Sequence, residues 1–308
     1  MSFESFRKSR GNGSSLLQKI ENASVFKKES EYYYPELDQD GKATSVIRFL
    51  PSKNEDELPY VTVYSHAFKG NDNRWLFQNL CPSTYGKPCA ICATNSELWN
   101  TQIKENQDVV RERKRKKSYV FNIVVIRDSS NPSNNGKVFQ YSCGTGIFNK
   151  ILSAMKPAFE DEAPMNPFDV FEGNNFILRI KRDPSKNGMI TYEDSKFDTK
   201  NTAIADSDAE LEKIYNEMKD LNHFTDPSRS EPEENILRRL PEAYSAYKFL
   251  SINKQQSVMK SAEPAKIKES VSSESEKLPW DDVPETGAPS EGGMSDDDLE
   301  YFRKLAQN

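Results

Sequence analysis

Residues 118–127 read SYVFNIVVIR. Aromatic and β-branched side chains of this kind favour strands, and side chains along a strand alternate between its two faces. Both faces are apolar here, since Phe121 lies on one of them and Val120 and Val124 lie on the other. A strand that is apolar on both faces is buried on both, so this stretch predicts the central strand of a sheet.

Further strands and helices are predicted on both sides of this run. Alternating or β-branched segments predict strands at residues 45–50, 60–64, 138–142, 176–181 and 189–192. Apolar side chains at helical spacing predict helices at residues 91–99, 147–155 and 208–221. This number of strands fits a small barrel. The predicted fold class is therefore α+β, with a β-barrel core and peripheral helices.

Polarity and charge divide the chain into three parts. The net charge is −6 and the mean hydropathy is −0.80, too polar for one compact fold over the whole length. Eight acids and no Lys or Arg lie between residues 278 and 302, which leaves 42 basic against 40 acidic residues elsewhere. We expect a basic N-terminal arm at residues 1–30, a core at 31–253 and a flexible acidic tail at 254–308.

The sequence carries no signal for a membrane or for secretion. No run approaches the roughly 18 apolar residues of a membrane span, and the first 13 residues lack the apolar stretch of a signal peptide. We therefore expect a cytoplasmic protein without a membrane partner. Because the cytoplasm is reducing, the four cysteines are interpreted as thiols or metal ligands and not as disulfides.

Three of the cysteines lie near one of the two histidines. His66, Cys81, Cys89 and Cys92 follow the pattern H-x14-C-x7-C-x2-C. Thiolates and a neutral imidazole suit tetrahedral Zn²⁺, and a C-x2-C pair brings two sulfurs from one turn to one ion. Four such ligands predict one closed, structural zinc ion, in a subdomain at about residues 60–110.

Two other interpretations of these cysteines stay open, namely a redox C-x2-C pair and thiols buried for packing. The PCAIC stretch at residues 88–92 also matches half of a zinc deaminase signature, but Ala67 and Phe68 follow His66 where that signature needs a glutamate. We therefore predict no catalytic residue and no enzyme activity. The alternatives are a zinc-dependent nucleic-acid-modifying enzyme and a zinc-ribbon adaptor for other proteins.

A basic cluster directly precedes the predicted central strand. It contains six cations in seven residues: Arg111, Arg113, Lys114, Arg115, Lys116 and Lys117. Cations that follow phosphates and rings that stack on bases are the two elements that hold single-stranded nucleic acid. Arg48 is a candidate to extend the groove. The candidate stacking rings are Trp99, Tyr119, Tyr141 and Tyr192, although each of them could equally belong to the core.

Several stretches together resemble the helix-destabilising single-stranded DNA-binding protein of T-even-type bacteriophages. They are VIRFLPSKN at 46–54, the His/Cys cluster, KRKKSY at 114–119 leading into NIVV at 122–125, and GKVF at 136–139. The resemblance covers roughly residues 43–221. It implies an OB-fold core with an inserted zinc-binding subdomain, and cooperative coating of single strands in DNA replication, recombination and repair. A viral protein of this family would act in the cytoplasm of its host.

The same resemblance implies roles for the two termini. Arg7, Lys8 and Ser9 look like the family's basic motif for cooperative contacts between copies along DNA, where the residues alone are equally consistent with an ordinary solvated terminus. The acidic tail resembles the segment that recruits replication and recombination proteins. Hydrophobic side chains among its acids suggest two short docking motifs: Trp280, Asp281 and Asp282, and then Asp296, Asp297, Asp298, Leu299 and Phe302.

Overall fold

An antiparallel sheet organises the computed structural model, which describes residues 31–69, 75–157, 159, 163–186, 188–230, 232, 234, 235, 238 and 278–281. Its eight described strands are β1 Lys42–Phe49, β2 Tyr60–Lys69, β3 Trp75–Leu80, β4 Lys116–Asp128, β5 Val138–Cys143, β6 Asn174–Asp183, β7 Met189–Thr191 and β8 Lys196–Asn201. The described α-helices are α1 Ala90–Asn100, α2 Lys104–Arg113, α3 Thr145–Met155 and α4 Asp208–Glu217. These elements confirm the predicted α+β class.

Strand β4 is the centre of the sheet, as the sequence of residues 118–127 predicts. Its residue Val120 pairs with Val61 of β2 on one edge and with Ser142 of β5 on the other. Further along, β1 replaces β2 on the first edge, where Ile123 pairs with Phe49. Residues 118–125 are all buried because neighbours cover both faces and both edges of this strand.

Strand β1 connects β4 to the second half of the sheet. It pairs with β4 on one side and with β6 on the other, and β6 then pairs with β7 and β8. Among the described strands the pairings give an open path in the order β3-β2-β4-β1-β6-β7, with β5 beside β4 and β8 beside β6. The antiparallel sheet is therefore established, and its closure into a barrel remains an expectation.

The main core lies on the face of the sheet that carries Ile47, Phe49, Phe121, Ile123 and Phe176, each of which is completely buried. The rings of Phe49 and Phe121 meet edge to face with centroids 5.0 Å apart. Full burial of one such side chain contributes about 1.5–3 kcal/mol. A smaller apolar cluster on the opposite face packs Val124 and Leu50 under helix α4.

Three elements were not predicted from the sequence. Helix α2 has a buried face that includes Asn106 and Arg113 as well as Val110, so its apolar periodicity is weak. Strand β8 pairs with β6 alone among the described strands, and four of its six residues are exposed, which removes the alternating pattern. Strand β3 was also missed.

None of the described helices is long and apolar enough to cross a bilayer.

Candidate metal centre and nucleic-acid interface

The four predicted zinc ligands come together in one buried cluster. Strand β2 supplies His66, the residue after β3 supplies Cys81, and the start of helix α1 supplies Cys89 and Cys92. All four are buried, and their ligand atoms lie within 4.8 Å of one another. The cluster therefore brings together strand β2, the residue after β3 and the start of helix α1.

Three of the six distances between these atoms match a tetrahedral zinc site. Zn–S bonds of about 2.3 Å and Zn–N bonds of about 2.0–2.1 Å imply S–S edges of about 3.8 Å and N–S edges of about 3.5 Å. The Sγ atoms of Cys81 and Cys92 are 3.7 Å apart, and Nε2 of His66 lies 3.5 Å from Sγ of Cys89 and 3.4 Å from Sγ of Cys92. A disulfide would need sulfurs about 2.05 Å apart, so the cysteines are free thiols.

The orientation of His66 also suits a metal ligand. Its Nδ1 lies 3.2 Å from the backbone carbonyl oxygen of Arg113, and Asn95 donates to the same oxygen from Nδ2 at 3.2 Å. When Nδ1 carries the proton and donates it to this carbonyl, the lone pair of Nε2 points at the sulfurs. Such outer hydrogen bonds orient metal-ligating histidines.

Thiolate charge governs protonation in the cluster. Burial works to lower the pKa of His66, but the charge of Cys89 and hydrogen bonds with Cys81 and Cys89 outweigh it and raise this pKa to about 10. Hydrogen bonds from Cys89 and Cys92 lower the pKa of Cys81. A metal ion that binds here must displace the imidazole proton, as is general for zinc sites.

The six cations of the basic cluster do not form one surface. Helix α2 ends within the cluster at Arg113 and strand β4 begins at Lys116, so successive side chains point in different directions. The side chains of Lys117, Lys114, Lys116 and Arg111 are exposed or partly exposed. Arg111 forms an ion pair with Asp108 at 2.5 Å.

Two members of the cluster point into the protein, which argues against them as DNA contacts. Arg113 is completely buried and donates from its guanidinium to Oδ1 of Asn95 at 2.8 Å. Arg115 is 5% exposed and donates to Ser83 and Asp281. A guanidinium that is buried and bound inside the protein is not available to a phosphate.

Arg48 likewise fails to fit the predicted groove, because none of its surface is exposed. Its guanidinium donates to Oδ1 of Asn175 at 3.1 Å, to the carbonyl oxygen of Asp169 at 3.2 Å, and to both oxygens of Thr202, with Oγ1 at 2.8 Å. Burial lowers the pKa of Arg48, and the charge of Asp169 offsets part of this effect. Arg48 therefore fastens β1 to the segments that precede β6 and follow β8.

Three of the four predicted stacking rings belong to the core instead. Tyr119, Tyr141 and Tyr192 are 5%, 4% and 8% exposed, so their faces are closed to a base. The Tyr119 ring stacks on Phe148 with centroids 3.6 Å apart and planes 5° from parallel. Trp99 is partly exposed, but it packs against Trp280 and lies under the guanidinium of Arg111.

The pairing of β2 with β4 creates a second candidate surface, which sequence reasoning missed. Tyr64 pairs with Lys117 and Thr62 pairs with Tyr119, so tyrosines and a lysine share one face of the two strands. Lys117 Nζ lies 5.1 Å from the centre of the Tyr119 ring, and the partly buried ring of Tyr60 meets Tyr119 edge to face. We call Tyr60, Tyr64, Lys117 and Tyr119 the β2–β4 face. The alternation of Tyr60 and Tyr64 along one strand was the available signal.

Some of the predicted site residues lie outside the described part of the chain. Among them are Arg7, Lys8 and Ser9 of the N-terminal arm. The same holds for Asp282, Asp296, Asp297, Asp298, Leu299 and Phe302 of the tail. Trp280 and Asp281 are described and lie against the core.

Comparison with known proteins shows which family and which proteins this chain is similar to. Residues 39–243 match a family model described as gp32 DNA binding protein like. A single-stranded DNA-binding protein of Enterobacteria phage T4 is 34% identical over 240 residues, which span 75% of this chain and 76% of that protein. The protein of the same name from Enterobacteria phage T2 is 36% identical over 209 residues, and the matched part spans 65% of each chain, just under two-thirds.

Proposed function

This chain belongs to the gp32-like family of DNA-binding proteins, as the resemblance in its sequence predicts, and on that premise we propose that it binds and coats single-stranded DNA. The observation that carries the proposal is the family match over residues 39–243, which include the whole described sheet and the His/Cys cluster. The phage relatives bear the name single-stranded DNA-binding protein. The role is non-catalytic and serves DNA replication, recombination and repair.

The DNA site of this proposal is the β2–β4 face together with the partly exposed cations beside it. Lys117 is exposed, and Lys114, Lys116 and Arg111 are partly exposed, so these four side chains are the candidates for phosphate contacts. Tyr60, which is partly exposed, offers ring surface on the same face of the two strands as Lys117. Bases that stack on such rings gain about 1–3 kcal/mol each. Curling of the antiparallel sheet into an OB-like barrel would place this face in a groove.

The zinc ion of this proposal is structural, with His66, Cys81, Cys89 and Cys92 as its ligands. Bound there, the ion would cross-link β2, the end of β3 and helix α1 and would supply no reactive position, because all four ligands come from the protein. The carbonyl of Arg113 orients His66, so the same site also holds the end of α2 and the start of the basic cluster. Zinc therefore supports the DNA site without touching DNA.

The proposal extends to partners through the termini. The arm at residues 1–30, with Arg7, Lys8 and Ser9, would contact a second copy along the strand, and the core at residues 31–253 would bind DNA. The tail at residues 254–308 would recruit replication and recombination proteins. For a phage protein the setting is the cytoplasm of the host cell.

Fluorescence titration tests the DNA proposal. The full-length, zinc-loaded protein is titrated with single-stranded and double-stranded oligonucleotides of equal length at several salt concentrations. We expect tighter binding to single strands and a negative slope of log K against log salt of about 0.7 per phosphate contact. Equal affinity for duplex, or an affinity that salt does not change, would contradict the proposal.

A further inference from the structure

Residues 278–281, LPWD, form a closed turn that lies against the zinc-binding side of the protein. The backbone N–H of Asp281 donates to the carbonyl oxygen of Leu278 at 3.0 Å, and the N–H of Leu278 donates to Oδ2 of Asp281 at 2.9 Å. Pro279 takes the second position, where its fixed φ favours a β-turn. The LPWD turn therefore holds its own shape, which lowers the entropy that docking must overcome.

The tryptophan of this turn is buried against the core. Trp280 is 1% exposed, the largest fully buried side chain among the described residues. Its ring lies 6.3 Å from that of Trp99, in helix α1, at an angle of 53°. Helix α1 also carries the zinc ligand Cys92, so the tryptophan is anchored on the metal-binding subdomain.

The aspartate of the turn forms a two-point ion pair with the core. Asp281 accepts from Nε of Arg115 at 3.1 Å through Oδ1 and from the terminal nitrogen of the same guanidinium at 2.6 Å through Oδ2. The two side chains are 17% and 3% exposed. Paired hydrogen bonds of this kind are among the strongest between side chains, and they require the planar fork of an arginine.

Arg115 in turn connects the LPWD turn to the metal cluster. Its third nitrogen donates to Oγ of Ser83 at 3.1 Å, and that hydroxyl lies 3.0 Å from Sγ of Cys81. The guanidinium also sits 4.3 Å from the centre of the Tyr64 ring. The core thus holds the nitrogen that the turn does not use and one face of the guanidinium, so Arg115 is oriented to receive a carboxylate.

We propose that Trp99 and Arg115 form a docking site for a short Pro-Trp-Asp motif, and that its occupant is the chain's own LPWD turn, bound within the same molecule. Leu278 lies 40 residues beyond Arg238, the last described residue before it. An extended chain of that length reaches about 130 Å, so the connection allows the motif both to reach its site and to leave it. The sequence predicts Trp280 and Asp281 as contacts for other proteins, whereas the structure seats them on the chain itself.

One polar group of the docked turn lacks a partner, which opposes docking. The indole N–H of Trp280 is buried and has no hydrogen-bond partner among the described residues. A buried donor without an acceptor opposes docking, while the ion pair and the buried ring favour it. Docking holds Asp281 on the metal-binding subdomain, so the 27 residues that follow Asp281 begin at that subdomain. This inference does not depend on DNA binding.

Indole N–H signals in the NMR spectrum of the full-length, zinc-loaded protein test the proposal. The chain has three tryptophans, and Trp280→Phe identifies the signal of Trp280. We expect that signal away from its random-coil position. Asp281→Asn should move it to random coil, and Arg115→Lys, which keeps the charge and loses the fork, should do the same. Asp282→Asn removes the same charge one residue later and should leave the signal in place.

The outcome that overturns the proposal is a Trp280 signal at random coil in the wild-type protein, or one that Asp281→Asn leaves unmoved. Asp281→Asn changes only the turn, so it keeps the test decisive even where Arg115→Lys fails to fold. Dilution over a hundredfold range must leave the signal unchanged, because docking within one molecule does not depend on concentration. A signal that shifts on dilution would contradict docking within one molecule.

A peptide experiment tests whether the site binds the motif when a separate molecule supplies it. The peptide SEKLPWDDVPE, residues 275–285, is added to full-length Trp280→Ala protein, whose site is open. We expect a saturable shift of the Trp99 indole signal, and no shift with a peptide that carries Asn in place of Asp281. Wild-type protein should need at least about tenfold more peptide, because its own motif acts at a millimolar effective concentration. A Trp99 signal that the peptide does not move would overturn the assignment of the site.

Discussion

The imidazole of His66 is hydrogen-bonded through Nδ1 to the backbone carbonyl of Arg113, so the residue that ends helix α2 orients a predicted metal ligand. The same carbonyl accepts from Asn95, and the guanidinium of Arg113 donates back to the side-chain oxygen of Asn95. Strand β2 and helices α1 and α2 thus meet at one residue. Because β4 starts three residues after Arg113, the position of the His/Cys cluster is linked to that of the lysines of the basic cluster.

Removal of the metal should therefore disrupt both the fold around the cluster and DNA binding. We expect Cys92→Ser to lose one equivalent of zinc, to lower the melting temperature and to weaken binding to single strands. Structural zinc contributes about 10–16 kcal/mol in small domains, comparable to the whole stability of about 5–15 kcal/mol. Metal analysis and thermal melts measure the effect. Cys143→Ala is the control, since Cys143 is buried in β5 outside the cluster, and zinc loss in that variant would argue against the ligand assignment.

Lys117 should contribute to DNA binding through its charge and not through stability. It is exposed at the edge of the β2–β4 face, so Lys117→Ala should leave the free energy of unfolding within about 0.5 kcal/mol of the wild-type value. The slope of log K against log salt should become less steep by about 0.7 if one phosphate contact is lost. Lys213→Ala is the matched control, because Lys213 is 68% exposed on helix α4 and pairs with Glu217. An equal effect of both variants would mean that only net charge matters.

The sheet could be predicted where burial leaves a pattern in the sequence. Strand β4 is buried over residues 118–125 and was predicted from its apolar side chains alone. The end of helix α4, in contrast, was predicted four residues too late. Helix α4 stops at Glu217 because the side chain of Asn122 accepts from the N–H of Lys219 and donates to its carbonyl. A tertiary contact of this kind leaves no local signal.

The metal ligands could be predicted and the direction of the charged side chains could not. Ligand chemistry restricts His66 and the three cysteines by type and spacing, so four residues were enough to find the cluster. The six cations carry no such restriction. Their directions depend on where α2 ends and β4 begins, and helix α2 was itself missed because Asn106 and Arg113 line its buried face. The inward directions of Arg113 and Arg115 could not be predicted for that reason.

Arg48 should prove to be a structural residue. Arg48→Ala would leave Asn175, Thr202 and the carbonyl of Asp169 without their donor. Hydrogen bonds to a charged group contribute about 1.5–3 kcal/mol each, so we expect a loss of at least about 3 kcal/mol in urea unfolding. DNA affinity of the folded protein should stay within about twofold of wild type, within the scatter expected for a residue without a DNA contact. Arg179→Ala, at an exposed position of β6, is the control. An Arg48→Ala variant that is stable but binds DNA poorly would instead support Arg48 as a DNA contact.

The loop that anchors Arg48 should also respond to acid. Backbone N–H groups of Glu172 and Phe171 donate to Oδ1 of Asp169 and lower the pKa of this carboxyl. A carboxyl whose pKa is lower in the folded state binds fewer protons there than in the unfolded chain, where its pKa is about 3.9. Its contribution to stability is therefore complete well above that value and is lost as the pH falls through the lower folded pKa. We expect Asp169→Asn to destabilise the protein at neutral pH and to make little difference near pH 2, as measured by urea unfolding across the pH range. Glu172→Gln is the control, because it changes an exposed residue of the same loop and should leave the pH profile close to wild type. If the difference in free energy of unfolding between Asp169→Asn and wild type were the same at all pH values, the loss would not be electrostatic.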